Sequence, residues 1–168
     1  MIRTGQDGFT LIEGMLAGVV LAVGMLALAA MQSMSLGRNV DASEVTRVTN
    51  LAADMMERIQ FNRGRAAAYN GALGTGIDTL NAATQPPATE PMARGDYTQW
   101  QTMLNNSGLT GVRGLVVVTA LDPAPAVNPV TLNRSQVAVT ITWLGSVKSE
   151  TSVRRNKTMT LITIVAPE

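Results

Sequence analysis

Residues 14–31 form an unbroken stretch of apolar residues and glycine, and no charged residue occurs between Glu13 and Arg38. As a helix rising about 1.5 Å per residue, such a stretch nearly crosses a bilayer core of about 30 Å. Glu13 stands at its start, where a carboxylate avoids most of the cost of about 2.5–3.5 kcal/mol that an acid at mid-bilayer incurs. The pattern predicts a single membrane-spanning helix within residues 14–37.

Beyond Gly37 the chain becomes amphipathic, and the same helix is predicted to continue to about Asn62. Apolar positions recur at steps of three and four, which predicts one buried stripe: Val45, Val48, Ala52, Met55 and Ile59. Charged residues occupy the other faces of this helix. Among them, Glu44 with Arg47 and Asp54 with Arg58 have the spacing of helical ion pairs, worth about 0.2–0.5 kcal/mol each.

The middle of the chain shows little periodicity. Residues 64–95 are rich in Gly, Ala, Thr, Asn and Pro, which predicts a long irregular connection that is either functional or mobile. Asp96 is then predicted to cap a short helix from Tyr97 to Leu104, with Trp100 in the core.

The last third of the chain has the pattern of β-structure. Three strands are predicted: Leu115 to Leu121, Gln136 to Leu144 and Lys157 to Val165. Residues 145–156 between the last two strands are predicted to be a polar connection. The basic cluster of Arg154, Arg155 and Lys157 is expected to be solvated at a turn. Three or four antiparallel strands with one apolar face would cover the buried stripe of the helix, which predicts an α+β fold.

The composition argues against catalysis and against nucleic-acid binding. The 13 basic and 12 acidic residues leave a net charge of +1 and are scattered along the chain. Cysteine and histidine are both absent, so disulfides, thiol nucleophiles, Ser-His-Asp machinery and the usual metal ligands are excluded. The carboxylates form no tight cluster. We therefore expect no enzyme, no catalytic residue, no metal, no cofactor, no small-molecule ligand and no direct nucleic-acid partner.

The junction before the apolar stretch carries a specific motif. Gly8-Phe9-Thr10-Leu11-Ile12-Glu13, followed by a hydrophobic helix, resembles the processing site of type IV prepilins and pseudopilins. The resemblance implies that a prepilin peptidase cuts between Gly8 and Phe9 and that the new amino group of Phe9 is methylated. It also implies that Glu13 takes part in subunit assembly, facing the amino terminus of Phe9 on a neighbouring subunit.

A second segment narrows the resemblance. Residues 50–63 read Asn-Leu-Ala-Ala-Asp-Met-Met-Glu-Arg-Ile-Gln-Phe-Asn-Arg. This segment is similar to the A-x-D-M-x-E/D-R-x-x-x-N-R pattern at the end of the long helix in PilV-type minor pilins. The family implies a lollipop layout in three parts: a leader over residues 1–8, a membrane and filament-core helix over residues 9–37, and a periplasmic globular domain over residues 38–168.

The resemblance implies a structural subunit of the type IV pilus fibre, in a priming or tip complex that supports adhesion and twitching motility. Its expected partners are other minor and major pilins, the prepilin peptidase, and the inner membrane. The protein would cross the inner membrane once, with its domain in the periplasm, before it enters the pilus at the cell surface. A minor pseudopilin of a type II secretion system carries the same motif and is the alternative function.

Two further alternatives come from the residues themselves. Ala27-Leu28-Ala29 after an apolar run also resembles a secretory cleavage site, although Glu13 interrupts that pattern, and the chain would then be a signal-peptide-bearing periplasmic binding domain. An anchored periplasmic enzyme or ligand-binding domain is the corresponding alternative if the segment is not cut. Arg94-Gly95-Asp96 spells an adhesive tripeptide, which we expect to have arisen by chance.

Overall fold

The computed structural model describes residues 10–122, 133–148 and 154–167, without the side chains of residues 147 and 148. Contacts divide the chain into two compact units, Met1–Asn39 and Val40–Glu168. One long helix, α1, runs from Leu11 to Phe61 and therefore contributes to both units. The predicted continuation of the apolar helix into an amphipathic one is confirmed.

In the first unit, α1 carries its apolar side chains on all sides. Each large apolar side chain from Leu11 to Leu36 is at least 59% exposed. The helix is long and apolar enough to cross a membrane, as predicted. Phe9, the first residue of the helix expected from the family layout, lies outside the described residues.

In the second unit, α1 buries one stripe against the domain. Val48, Ala52, Met55 and Ile59 are fully buried, as predicted. Val45 was wrongly assigned to this stripe, because it is 46% exposed while Glu44 is only 5% exposed. Both position 44, four residues before Val48, and position 45, three residues before it, could continue the stripe. Hydrophobicity alone favours Val45, although the structure buries Glu44.

The connection that was predicted to be irregular is largely ordered, which corrects the prediction for residues 64–95. It holds a 3₁₀ helix over Arg63–Asn70, the short strand β1 over Ile77–Asp78 and a 3₁₀ turn over Ala82–Thr84. Side-chain hydrogen bonds hold this segment in place, and the hydrophobic pattern gives no sign of them. The Asn70 amide donates to the Val118 carbonyl oxygen at 2.6 Å and accepts from the Val118 N–H at 2.7 Å, as a paired strand would.

The second helix, α2, spans Pro91–Asn105 and begins earlier than predicted. Proline suits the first helical position, because its fixed φ angle matches the helix. The backbone N–H that it lacks would have no partner within the helix there. Asp96 is therefore not the N-cap, and the correct position is Glu90, whose side chain makes no capping hydrogen bond. Trp100 is fully buried, as predicted.

Four antiparallel strands form one sheet in the order β1-β2-β3-β4, which confirms the predicted α+β class. Each predicted strand is present but longer: β2 spans Thr110–Ala120, β3 spans Ser135–Lys148 and β4 spans Arg154–Val165. The polar residues at both ends of the supposed connection over residues 145–156 therefore belong to strands. A register shift lies between Leu144 and Lys148, and beyond it Lys148 of β3 still pairs with Arg154 of β4.

The core lies between one face of the sheet and the two helices. The sheet contributes Val116, Val118, Val137, Val139, Ile141, Trp143 and Val165. Trp100 of α2 lies at the centre, where its indole N–H donates to the Leu51 carbonyl oxygen of α1 at 2.8 Å. Gly114 of β2 gives this ring its space, because a Cβ at Gly114 would overlap both Trp100 and Leu104.

We expect Gly114→Ala to lower the free energy of unfolding by about 1–3 kcal/mol, since the added methyl group has no room beside Trp100. Gly95→Ala is the matched control, because Gly95 lies inside α2 and a Cβ there meets no atom within 4 Å. That control should raise the stability by up to about 1 kcal/mol. Chemical denaturation of the full-length protein in detergent measures both, and equal effects of the two substitutions would contradict this packing.

Candidate functional site

The amino-terminal end of α1 contains a capping box. The Glu13 Oε2 atom accepts from the Thr10 backbone N–H and from the Thr10 hydroxyl, both at 3.1 Å. In return, the Glu13 N–H donates to the Thr10 hydroxyl oxygen at 3.3 Å. The reciprocal bonds satisfy donors that the first turn of a helix leaves unpaired, and the negative charge suits the positive end of the helix dipole.

This cap was not predicted from the sequence, although the spacing Thr-x-x-Glu before an apolar run is its usual signature. Of the predicted processing and assembly residues, only Glu13 lies within the described part of the chain. Gly8 and Phe9, the predicted cleavage and methylation positions, lie outside the described residues.

In the second unit, Glu44 lies in a buried polar cluster near the beginning of the part of α1 that belongs to this unit. The Glu44 carboxylate accepts from the Trp143 indole N–H at 3.1 Å, the Ser146 backbone N–H at 2.7 Å and the Lys157 ammonium at 2.9 Å. Lys157 also donates to Asp41 at 2.7 Å. Side chains and backbone from β3 and β4 therefore fix this end of the helix.

Hydrogen bonds dominate the electrostatics of this cluster. Burial alone would raise the pKa of Glu44, but the bonds from Ser146, Lys157 and Trp143 lower that pKa from 4.5 to about 2. Burial opposes the charge of Lys157 as well, yet Asp41 and Glu44 raise its pKa.

Two sequence predictions are corrected at this cluster. Glu44 does not bond to Arg47, which instead donates to the Ser107 carbonyl oxygen. Lys157 is not a solvated turn residue, because it lies within β4 and contacts α1. The partners are about 100 residues apart along the chain, so no local spacing in the sequence signals the cluster.

A second polar network fixes the other end of the helix. Arg58 donates to Asp54 at 2.8 Å, which confirms that predicted pair, and also to Asp96 of α2 at 3.2 Å. The Tyr69 hydroxyl donates to Asp96 and accepts from the Asn62 amide. Burial, with Asp96 nearby, raises the pKa of Tyr69, so the hydroxyl keeps its proton and remains a donor.

The network gives structural roles to two of the motifs seen in the sequence. Asp54, Arg58 and Asn62 are three of the five polar positions in the PilV-type pattern that the segment resembles, and all three belong to the network. The tripeptide Arg94-Gly95-Asp96 lies inside α2, and the Asp96 side chain is only 16% exposed. Its helical conformation and its bonds to Arg58 and Tyr69 make it a poor adhesive loop.

The described residues contain no group of three or more acidic, histidine or cysteine side chains placed to hold a metal ion. Beside the Arg58 network, a shallow surface depression is lined by Glu57, Arg58, Phe61, Met92 and Asp96. Phe61 and Met92 are exposed there, and two of its charged residues, Arg58 and Asp96, bond to each other.

Comparisons with protein-family models, with curated proteins and with solved structures return no match for this chain.

We expect Glu44→Gln to destabilise the second unit by about 1–3 kcal/mol at pH 7, because Lys157 then loses the more buried of its two charged partners. The folded-state pKa of Glu44 is depressed, so its carboxylate stabilises the fold above pH 4.5, and that contribution is lost as the pH falls towards 2. Denaturation of the full chain at pH 7, 4.5 and 2.5 should show that the difference in free energy of unfolding between wild type and variant shrinks as the pH falls.

Asp41→Asn is the control, because the Asp41 side chain is 46% exposed and its bond to Lys157 is screened by solvent. It should cost less than about 1 kcal/mol. A Glu44→Gln difference that stays constant across this pH range would contradict the described role of the carboxylate.

Proposed function

We propose that this protein is a minor pilin of the PilV type, a structural subunit of the type IV pilus. The single observation that carries the proposal is the Gly8 to Glu13 motif at the beginning of a helix whose large apolar side chains from Leu11 to Leu36 are all exposed. In the proposed pathway, prepilin peptidase cuts after Gly8 and methylates Phe9. The subunit waits in the inner membrane, with its domain in the periplasm, and then enters the fibre.

The exposed part of α1 supports incorporation into a bundle of like helices. An apolar helix without a partner in its own chain needs either lipid or other apolar helices around it. A membrane supplies the first environment and the core of a filament supplies the second. The same surface therefore serves the subunit before and after assembly.

The second unit supports a structural role. Its polar side chains hold elements together. Buried Glu44 bonds the beginning of the domain part of α1 to the sheet, and partly buried Arg58 bonds its end to α2. An enzyme would instead be expected to direct such groups into a cleft. In the proposal, the domain presents its surfaces to neighbouring minor and major pilins.

Glu13 has two uses in the proposal. Within the chain it caps α1, and between chains its carboxylate neutralises the amino group of Phe9 on the adjacent subunit. An acid among apolar helices is costly unless a cation lies nearby, so this pairing would set how far one helix slides past the next.

The first test concerns processing. We expect Gly8→Val to leave an uncut precursor, because a peptidase working at the membrane face must approach the backbone closely and a side chain blocks that approach. Gel mobility and the amino-terminal residue, Phe9 in wild type, provide the measurement. Gly5→Val is the control and should be processed normally.

A mature chain that begins near Ala30 would contradict the proposal and point to a secretory signal. Deletion of the protein should reduce surface pili and twitching motility. Normal pili together with a loss of exoprotein secretion would instead identify a pseudopilin.

The second test separates the two uses of Glu13. We expect Glu13→Ala to leave cleavage and membrane insertion intact but to reduce recovery in sheared filaments by about tenfold or more, because it removes both cap and charge. Thr10→Ala removes the hydroxyl partner and leaves the carboxylate, so it should retain most of that recovery. Equal loss from both variants would show that Glu13 acts only as a cap.

A further inference from the structure

Arg38 is the first charged residue after the apolar part of α1, and its guanidinium group has no partner within the described part of the chain. The residue is exposed, and no hydrogen bond or ion pair joins it to another described residue. The next carboxylate along the helix, Asp41, bonds to Lys157 at 2.7 Å. An unpaired guanidinium at the end of an apolar helix is therefore free to bind an anion.

The spacing along α1 places Arg38 at the depth of lipid phosphate groups. Residues 14–37 carry no charge, and at about 1.5 Å per residue they separate Glu13 from Arg38 by about 37 Å. A helix tilt of about 20° shortens this distance along the bilayer normal only to about 35 Å. The hydrocarbon core is about 30 Å thick, and the headgroup regions bring the bilayer to about 40–45 Å. With Glu13 at one interface, Arg38 consequently reaches the headgroups of the other.

A shallow groove on one side of α1 combines the two kinds of surface that a phospholipid needs. It is lined by Met31, Met34, Ser35 and Arg38, which are related by steps of three and four residues. We call it the Arg38 groove. Met31 and Met34 lie on the side of the hydrocarbon and are exposed, whereas Ser35 and Arg38 lie on the side of the headgroups. A helical side chain points back towards the helix amino terminus, so the Arg38 side chain extends over the turn that contains Ser35.

A phospholipid matches the chemistry of both parts of the groove. The planar guanidinium of Arg38 can donate two parallel hydrogen bonds to phosphate oxygens, and the Ser35 hydroxyl is a further donor. The adjacent hydrocarbon lowers the local dielectric constant, which strengthens an ion pair that water would screen. Met31 and Met34 have flexible, polarisable side chains that adapt to an acyl chain. A free phosphate ion would use only the polar part of the groove.

We propose that the Arg38 groove binds one phospholipid, with the lipid phosphate on Arg38 and Ser35 and an acyl chain along Met31 and Met34. This inference rests on the proposed function, because it requires α1 to span the inner membrane. In that setting the lipid belongs to the periplasmic leaflet.

The test is native mass spectrometry of the full chain in detergent, with an equimolar mixture of two lipids that have the same acyl chains. Dioleoylphosphatidylglycerol carries a phosphate group, and dioleoylglycerol does not. We expect the chain to retain one phosphatidylglycerol about fivefold or more over dioleoylglycerol, because only the former pairs with a guanidinium. A large excess of inorganic phosphate should not displace the lipid, since a free ion lacks the acyl chain that contacts Met31 and Met34.

Substitutions at Arg38 assign the retained lipid to the groove. Arg38→Gln should lower the retention of phosphatidylglycerol by about fivefold or more, because a neutral amide cannot form the ion pair. Arg38→Lys should keep part of the retention, since an ammonium group keeps the charge but lacks the planar fork. Arg65→Gln, at an exposed arginine of the second unit, is the matched control and should leave the retention unchanged.

The proposal is overturned if dioleoylglycerol is retained equally well, if Arg38→Gln keeps the phospholipid, if inorganic phosphate displaces it, or if Arg38 instead supports a dimer of the chain. These failures are distinct from failure of the proposed function. A chain that is cut after Gly8 and recovered in filaments, but shows no selective retention, keeps its function and loses only this site. An uncut chain that is absent from filaments loses the function itself.

Discussion

The constraint on which the rest depends is that the first half of α1 has no apolar partner within the described part of its own chain. In water, its exposed Leu, Val and Met side chains would favour aggregation or disorder of this segment, so the helix requires lipid or other helices. Once the segment lies in hydrocarbon, each backbone donor must be satisfied internally. The cap from Thr10 and Glu13 meets that need where the helix begins, at the point where intrahelical bonds are missing.

The second half of α1 is under a different constraint. There the helix must pack on the rest of the domain in a single register. The apolar stripe alone would allow the helix to slide along the sheet, since contacts between apolar side chains are not directional. The Glu44 cluster and the Arg58 network lie at the two ends of this stripe and define its position on the sheet and on α2. Buried ion pairs add little net stability compared with apolar packing, but they penalise every arrangement that leaves one charge unpaired.

The class of fold and the main elements could be predicted from sequence because their signals are local. The apolar run before Arg38, the stripe at Val48, Ala52, Met55 and Ile59, and the alternation in β3 each depend on neighbouring residues. The misplaced details depend on residues far apart. Glu44 was assigned to the solvent because Trp143, Ser146 and Lys157 lie about 100 positions away, and residues 64–95 appeared irregular because Asn70 orders them through Val118. The processing and assembly residues were identified by resemblance, and the structure describes only Glu13 among them.

The cap on Glu13 bears directly on how such a residue would act in assembly. Both Thr10 donors bond to Oε2, so Oε1 keeps its capacity to accept a hydrogen bond from a cation. If the amino group of a neighbouring Phe9 displaced Thr10, the Thr10 N–H would lose its acceptor among apolar helices, at a cost of about 1–3 kcal/mol. Binding to Oε1 avoids that cost and uses a carboxylate that the cap already holds in place. In the proposed filament the cap would therefore favour assembly, because it removes the conformational freedom that Glu13 would otherwise lose when a neighbouring subunit binds.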